Sequence, residues 1–325
     1  MTMPTIVVSE SVYKKAEQVF AASTRFRCVM APDDEAGLVR AIADSGAAHA
    51  ILGHHKYGGE LYSAFPRGRV LARFGVGHDG LDKVKATQAG LLCTNTPGTL
   101  DDSVAELTMM MVGAAARHLT AHAAAMAAGE WQPILGTELR GRTLAIVGCG
   151  RIGSTLARIA SAGFGMRVVG YTRASGAAHD PAHYAELTPD FARAVAEADF
   201  VSLHIAATPE NAHFIDRERL AMMPPRSWLV NTARGAVVDE AALYDALQAR
   251  RIAGAALDVF DREPYEPVDA AHDLRSLPNV ILTPHIGSNT PDANRRMAEG
   301  ALRNVALGHD GRFAEMNLLN PEVLG

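Results

Sequence analysis

Short apolar runs alternate with helical patterns along the whole chain. Near the start, PTIVVSE, FRCVM, AHAILG and RVLARFG read as strands, with helical segments such as residues 32–45 between them. This first block ends near LLCTNTPGT, where Pro97 and Gly98 mark a turn. Residues 101–128 then read as one long helix. Asp101 and Asp102 sit where its N-terminal dipole favours carboxylates, and Gly129 lies just past its end. Six further apolar strands follow: TLAIVG, MRVVGY, DFVSLH, SWLVNT, GAALDVF and NVILTP. From Pro291 a helix is predicted to about Ala306, followed by a tail too short to be a domain and expected to fold back onto the N-terminal block. Strands alternating with helices predict an α/β protein with parallel sheets.

Composition narrows the picture. The 325 residues suffice for about two domains, and 48% hydrophobic with 21% charged residues is the profile of an ordinary globular protein. A net charge of −5 advertises no basic face for nucleic acid or anionic membrane. Lysine occurs only at Lys14, Lys15, Lys56, Lys83 and Lys85, so most arginines read as the default surface cation. Cys28, Cys93 and Cys149 are scattered without metal-ligand spacing, which predicts reduced thiols, a cytoplasmic location and no metal. The N-terminus lacks a basic, then apolar, leader, and the stretch 108–116 is too short to span a bilayer, so neither a signal peptide nor a membrane span is expected.

The strand TLAIVG runs into Gly148, Gly150 and Gly153, giving G-C-G-R-I-G at the head of a helical segment. Gly148 permits the tight turn, Gly150 lets backbone approach a pyrophosphate, and Gly153 lets helix and strand pack closely. The amides of Arg151 and Ile152 would then lie at a helix N-terminus, where an anion is favoured. The motif alone is weak; with strand and helix both flanking it, it predicts a dinucleotide site. At the end of the second strand an NAD enzyme usually carries a carboxylate for the ribose hydroxyls. Here the chain reads Gly170-Tyr171-Thr172-Arg173-Ala174-Ser175. Thr172 would not repel a 2′-phosphate and Arg173 could pair with it, although a surface role for Arg173 is the competing reading. The missing acid weighs more than the arginine, and NADP is expected ahead of NAD.

Three C-terminal motifs each follow an apolar run: NTARG with Arg234, LDVFDREP with Glu263, and TPHIGS with His285. Reducing a 2-oxo acid needs a cation for the carboxylate and carbonyl and an acid for the developing alkoxide, and these residue types supply both. Any one of them alone is more often a surface or packing residue. Together, in order, they resemble the D-isomer-specific 2-hydroxyacid dehydrogenases, a family that includes glyoxylate, hydroxypyruvate and phosphoglycerate dehydrogenases. FGVGHDGLD, NTPGTLDDSVAEL and GRTLAIVGCGRIGSTLARIASAGFGMRV extend the resemblance over nearly the whole chain.

The resemblance implies two doubly wound domains. A Rossmann-type cofactor domain at 100–289 is inserted into a flavodoxin-like substrate domain made of 1–99 and 290–325. It implies hydride transfer between NAD(P)H and a small 2-oxo acid, and a homodimer formed through the cofactor domains. It puts Arg234 on the substrate carboxylate and carbonyl, His285 as acid/base, Glu263 as its hydrogen-bonded partner and Asp258 near the nicotinamide carboxamide. A carboxylate beside imidazole favours the protonated ring, as a proton donor requires. The backbone of Val76 and Gly77 would meet the substrate carboxylate. Ser103, His204, Thr208, Thr232, Ala233 and Gly287 are implied as further cofactor contacts.

His204 is followed by Ile205, where the family often has proline, which leaves the backbone contact there open. His54, His55 and His78 stand near the expected substrate side, with packing or solvent exposure equally available to them. The competing readings are a phosphoglycerate dehydrogenase-like enzyme, against which stands the absence of an extra regulatory domain, and a dinucleotide-sensing, corepressor-like binding protein. Formate dehydrogenase fits less well, because the Arg234–Glu263–His285 set suits carbonyl protonation.

Overall fold

Every strand pair in the computed structural model is parallel, and the strands fall into two separate sheets; residues 3–173 and 179–325 are described. Parallel strands are covered by helices on both faces, which explains why they are near-continuous apolar runs. The chain divides into one unit of Met1–Leu100 with Asn289–Gly325 and a second of Asp101–Ser288.

In the first unit, β1 (Thr5–Ser9), β2 (Arg27–Ala31), β3 (His49–Leu52), β4 (Val70–Arg73) and β5 (Leu92–Thr94) lie in the order β2-β1-β3-β4-β5. That is the flavodoxin-like order. In the sequence β5 shows only as the approach to a turn, because three residues before Asn-Thr-Pro-Gly carry no periodicity. The helix Pro291–His309 packs on this sheet so closely that a Cβ on Gly308 would come 2.4 Å from Val70 Cγ2. The tail does return: Leu319 N donates to Cys93 O at 2.8 Å. The buried Asn320 side chain accepts from Cys93 N (2.8 Å) and donates to Leu91 O (2.9 Å).

The second unit holds β6 (Thr143–Val147), β7 (Arg167–Tyr171), β8 (Glu186–Thr188), β9 (Phe200–Leu203), β10 (Trp228–Asn231), β11 (Gly254–Leu257) and β12 (Val280–Leu282). Their order is β12-β11-β10-β9-β6-β7-β8. This is the doubly wound dinucleotide-fold order with one strand added. Period-2 alternation splits the core between the faces. Ala145, Val147, Val201 and Leu203 pack on one side, and Leu144, Ile146, Phe200 and Val230 on the other. β8 escaped the sequence reading because an edge strand of Glu-Leu-Thr has no apolar run.

The helix predicted over 101–128 is a correction. It is two helices, Asp101–Ala116 and Leu119–Ala127, separated by His118 at φ +49. The first helix is stopped where the returning chain docks on its end, Thr137 N donating to Ala116 O at 2.8 Å. The second buries no residue, so alanine propensity forms it while nothing in the unit's core keeps it collinear. No helix among the described residues is long and apolar enough to cross a membrane.

Candidate active site

The strand ends of the larger sheet lie level. Val147 of β6 pairs with Tyr171 of β7 and Leu203 of β9, and Leu203 with Asn231 of β10. Asn231 in turn pairs with Leu257 of β11, and Leu257 with Leu282 of β12. Neighbouring strands lie about 4.8 Å apart. The glycine turn and the three motifs therefore leave one edge of the sheet, the carboxyl edge where open α/β sheets bind ligands. The strand order reverses at β6, and a dinucleotide belongs at that switch point.

The three glycines of G-C-G-R-I-G answer to different demands. Gly148 has φ +100, and a Cβ there would sit 2.5 Å from His204 O. A Cβ on Gly153 would come 2.2 Å from Gly148 O. The protein's own packing requires both. Gly150 is different, since a Cβ there would meet nothing within 4 Å. It caps the helix Arg151–Arg158, whose first amides receive no side-chain cap among the described residues. An open approach to the uncapped amides of Arg151 and Ile152 is a cradle that a side chain would fill, and these residues fit a pyrophosphate. The Arg151 side chain is tied to Asp101, Nε donating to Oδ2 at 2.7 Å.

Around this turn, Thr172 N donates to Thr188 O (3.1 Å) beyond the end of β7, and Arg173 is exposed. Ala174 and Ser175 lie outside the described residues. His204 exchanges a hydrogen bond with Ser202 Oγ (2.9 Å), and burial pushes its pKa down to about 4, so the ring is neutral. Thr208 precedes the short turn Pro209–Asn211, and Asn211 Nδ2 braces that loop through Ala206 O at 2.8 Å. The Glu210 carboxyl is held below its usual range by the Thr208 side chain first, then by its own amide and the charge of Arg173.

The motif after β10 is set by Asn231, whose Oδ1 accepts from Ala233 N (3.0 Å) and whose Nδ2 donates to Arg234 O (2.9 Å). Thr232 Oγ1 shares a buried hydrogen bond with Thr108 Oγ1 (2.8 Å), and Arg234 Nη1 donates to Ala233 O (2.7 Å). After β12, His285 has φ +53, a left-handed conformation that costs a non-glycine residue about 1–2 kcal/mol. Asp258 holds it there. Its Oδ1 accepts from Thr283 Oγ1 (2.5 Å) and Ile286 N (2.9 Å), its Oδ2 from Gly287 N (2.8 Å), and its carbonyl from His285 N (2.8 Å). Ser103 Oγ donates to Gly287 O (3.0 Å) from the helix behind. The His285 ring is thereby presented to Glu263, with Nδ1 to Oε2 at 2.6 Å. The ring keeps 36% side-chain exposure, enough for a solute to reach it.

In the smaller unit, the loop after β4 turns at Gly75 (φ +130). Thr96 Oγ1 accepts from Gly75 N (3.1 Å), and Asn95 Nδ2 donates to Val76 O (2.8 Å) beside Gly77. A Cβ on Gly80 would come 2.4 Å from His55 O, so this loop is pressed against residues 54–55. The His54 and His55 rings stack at 4.8 Å. His78 is half-buried. Glu35 anchors the loop that follows His55, its carboxylate accepting from Gly58 N (2.6 Å), Gly59 N (2.8 Å) and Leu61 N (3.0 Å).

The family model of the D-isomer specific 2-hydroxyacid dehydrogenase, NAD binding domain, matches residues 109–287. The chain is also 41% identical, over 274 residues, to a glyoxylate reductase of Thermococcus litoralis, covering 82% of this chain and 81% of that one. The chain belongs to the D-isomer-specific 2-hydroxyacid dehydrogenase family. A glyoxylate reductase of Korarchaeum cryptofilum is 38% identical over 300 residues, covering 90% of this chain and 88% of that one. The NADPH-dependent glyoxylate/hydroxypyruvate reductase of Sinorhizobium meliloti, solved with NADP and malonate, matches with TM-score 0.81 and 30% identity. It covers 94% of this chain and 93% of that one.

As a member of this 2-hydroxyacid dehydrogenase family, the chain is an oxidoreductase that acts on the CH–OH carbon of a 2-hydroxy acid with a nicotinamide dinucleotide. Of the residues singled out in the sequence, the structure joins Glu263 to His285 directly. It puts Ser103, Asp258 and Gly287 in the scaffold of the His285 turn. Arg234 stands on the turn after β10, the neighbour of β11, and Gly235 packs that turn against Phe260. Asn231, Glu240 and Glu35 were missed. Asn231 was legible, since an Asn that opens a turn bonds to its own backbone. Glu240 and Glu35 act on amides about twenty residues away, a partnership no local pattern carries. Among the described residues no cluster of His, Cys, Asp or Glu could hold a metal.

Proposed function

We propose that this dehydrogenase reduces glyoxylate and hydroxypyruvate to their 2-hydroxy acids, with NADPH preferred over NADH. The observation that carries the reading is the His285–Glu263 pair at 2.6 Å on the same sheet edge as the open glycine cradle. A bound reduced nicotinamide supplies the hydride. Arg234 holds the substrate carboxylate and polarises its carbonyl with a planar fork. Because Glu263 takes Nδ1, His285 delivers its proton from Nε2 to the carbonyl oxygen, where an alkoxide would otherwise form. Support for glyoxylate-type substrates comes from the names of the archaeal relatives.

The NADPH preference rests on Thr172 and Arg173 in place of a carboxylate, and on the NADP complex of the Sinorhizobium relative. We read the protein as a cytoplasmic homodimer. Large apolar side chains are exposed along 110–135, among them Met110 (67%), Leu119 (60%), Trp131 (83%) and Leu135 (94%), while Met109 and Met111 fill the unit's own core. Sedimentation analysis of the wild type and Leu135→Asp checks the dimer. The deciding experiment is steady-state reduction of glyoxylate and hydroxypyruvate with each cofactor. Turnover is expected with both acids and a higher kcat/KM with NADPH. A folded protein that turns over neither acid overturns the reading, and a clear NADH preference overturns its cofactor half. Arg234→Lys is expected to lower kcat/KM by about 10².

A further inference from the structure

Glu240 is the first residue of the helix Glu240–Gln248, and it is only 6% exposed. A glutamate at a helix start is ordinarily explained by the dipole, which an exposed side chain serves equally well. Burying a carboxylate is costly unless something binds it. Here its Oε1 accepts from Asp261 N at 2.8 Å. The preceding amide, Phe260 N, donates to Glu263 Oε1 at 3.0 Å, and Glu263 Oε2 meets His285 Nδ1 at 2.6 Å. Two successive amides of one turn are thus held by two glutamates, one buried beneath the turn and one reaching to the histidine. Behind the turn there is no slack, since a Cβ on Gly235 would come 1.8 Å from Phe260 C. Burial raises the Glu240 carboxyl above its usual range, with Asp261 N opposing, which agrees with a group kept for its reach to that amide rather than for solvation.

We propose that Glu240 is a positioning residue for the Glu263–His285 pair: by holding Asp261 N it fixes the 260–263 turn, and with it the orientation of Glu263 toward the imidazole. This rests on the role given to Glu263 and His285 above. The bond must span from the helix start to the turn, so reach matters and charge does not. Glutamine preserves the acceptor at the same distance. Aspartate keeps the charge but is one methylene short.

The test compares Glu240→Gln and Glu240→Asp in the full chain, with Glu263→Gln as reference. It reads kcat and KM for glyoxylate, NADPH affinity by fluorescence, and the pH profile of kcat. Glu240→Asp is expected to lower kcat about tenfold or more and alter the pH profile, with NADPH affinity within about twofold of wild type. Glu240→Gln is expected to stay within about threefold in kcat. In the Glu263→Gln background, Glu240→Asp should add little, because it acts through Glu263. The reverse ranking, with Gln impaired and Asp active, overturns the proposal in favour of a charge effect. Equal loss of kcat and NADPH affinity in both variants overturns it in favour of a general structural role. If Glu263→Gln is impaired while Glu240→Asp is not, only the positioning role falls. An unimpaired Glu263→Gln overturns the reading beneath it as well.

Discussion

Two segments of this protein are held by the same device, and they differ in what the device leaves behind. Around His285, the Asp258 carboxylate gathers the amides of Ile286 and Gly287. In the smaller unit, the Glu35 carboxylate gathers those of Gly58, Gly59 and Leu61. Asp258 is 1% exposed and forces a left-handed histidine, whereas Glu35 is half-buried with Lys85 beside it. The loop Glu35 holds also contains two buried polar atoms that find no partner among the described residues, His55 Nδ1 and Tyr57 Oη. One segment is over-determined, as a proton-transfer group requires. The other is anchored at one end and carries unspent hydrogen-bonding capacity.

The sharpest way to break the comparison is at its chemical end. His285→Ala is expected to lower kcat by about 10²–10⁴ with the fold intact, and stopped-flow or steady-state reduction of glyoxylate measures it. A loss under threefold would remove His285 from the proton transfer.

Next comes the clamp itself. Asp258→Asn turns one acceptor into a donor facing amide donors, and should lower stability by about 1–3 kcal/mol and kcat at least about tenfold. Urea unfolding with parallel kinetics tests this, and an unchanged kcat would mean that the left-handed turn holds without its carboxylate.

The looser loop should respond differently. Glu35→Ala is expected to lower stability by about 1–3 kcal/mol in urea unfolding while kcat stays within about twofold, because only the anchor of the loop is lost. Burial opposes ionisation of Glu35, but the amides of Leu61, Gly59 and Gly58 and the charge of Lys85 outweigh it and hold the carboxyl below its usual range. Its contribution to folding is therefore present above the ordinary carboxylate pKa and lost as pH falls through the lowered value. Wild-type stability should therefore fall in that acid window by more than that of Glu35→Ala, which urea unfolding against pH measures.

The smallest effect sharpens the contrast. Tyr57→Phe removes a buried hydroxyl that meets no partner among the described residues, and should leave stability unchanged or raise it by less than about 1 kcal/mol. A thermal melt showing clear destabilisation would mean that the hydroxyl is satisfied in solution.

What the amino-acid order determined by itself was whatever is local or periodic. The long apolar strands, the glycine turn after β6 and the three motifs after β10, β11 and β12 could all be read, because backbone sterics and alternation act over a few residues. The short strands β5 and β8 could not, since three residues carry no period and are strands only because a neighbouring strand offers its ladder. The break at His118 likewise depends on Thr137 docking on Ala116. The same division runs through the site. Arg234, Glu263 and His285 were named from their motifs, but the left-handed turn beneath His285, the buried Glu240 under Asp261 and the Glu35 anchor belong to tertiary structure alone. Each is a carboxylate satisfied by amides from a distant stretch of chain. Only folding decides that partnership, because a carboxylate is worth burying only where the rest of the chain delivers donors to meet it.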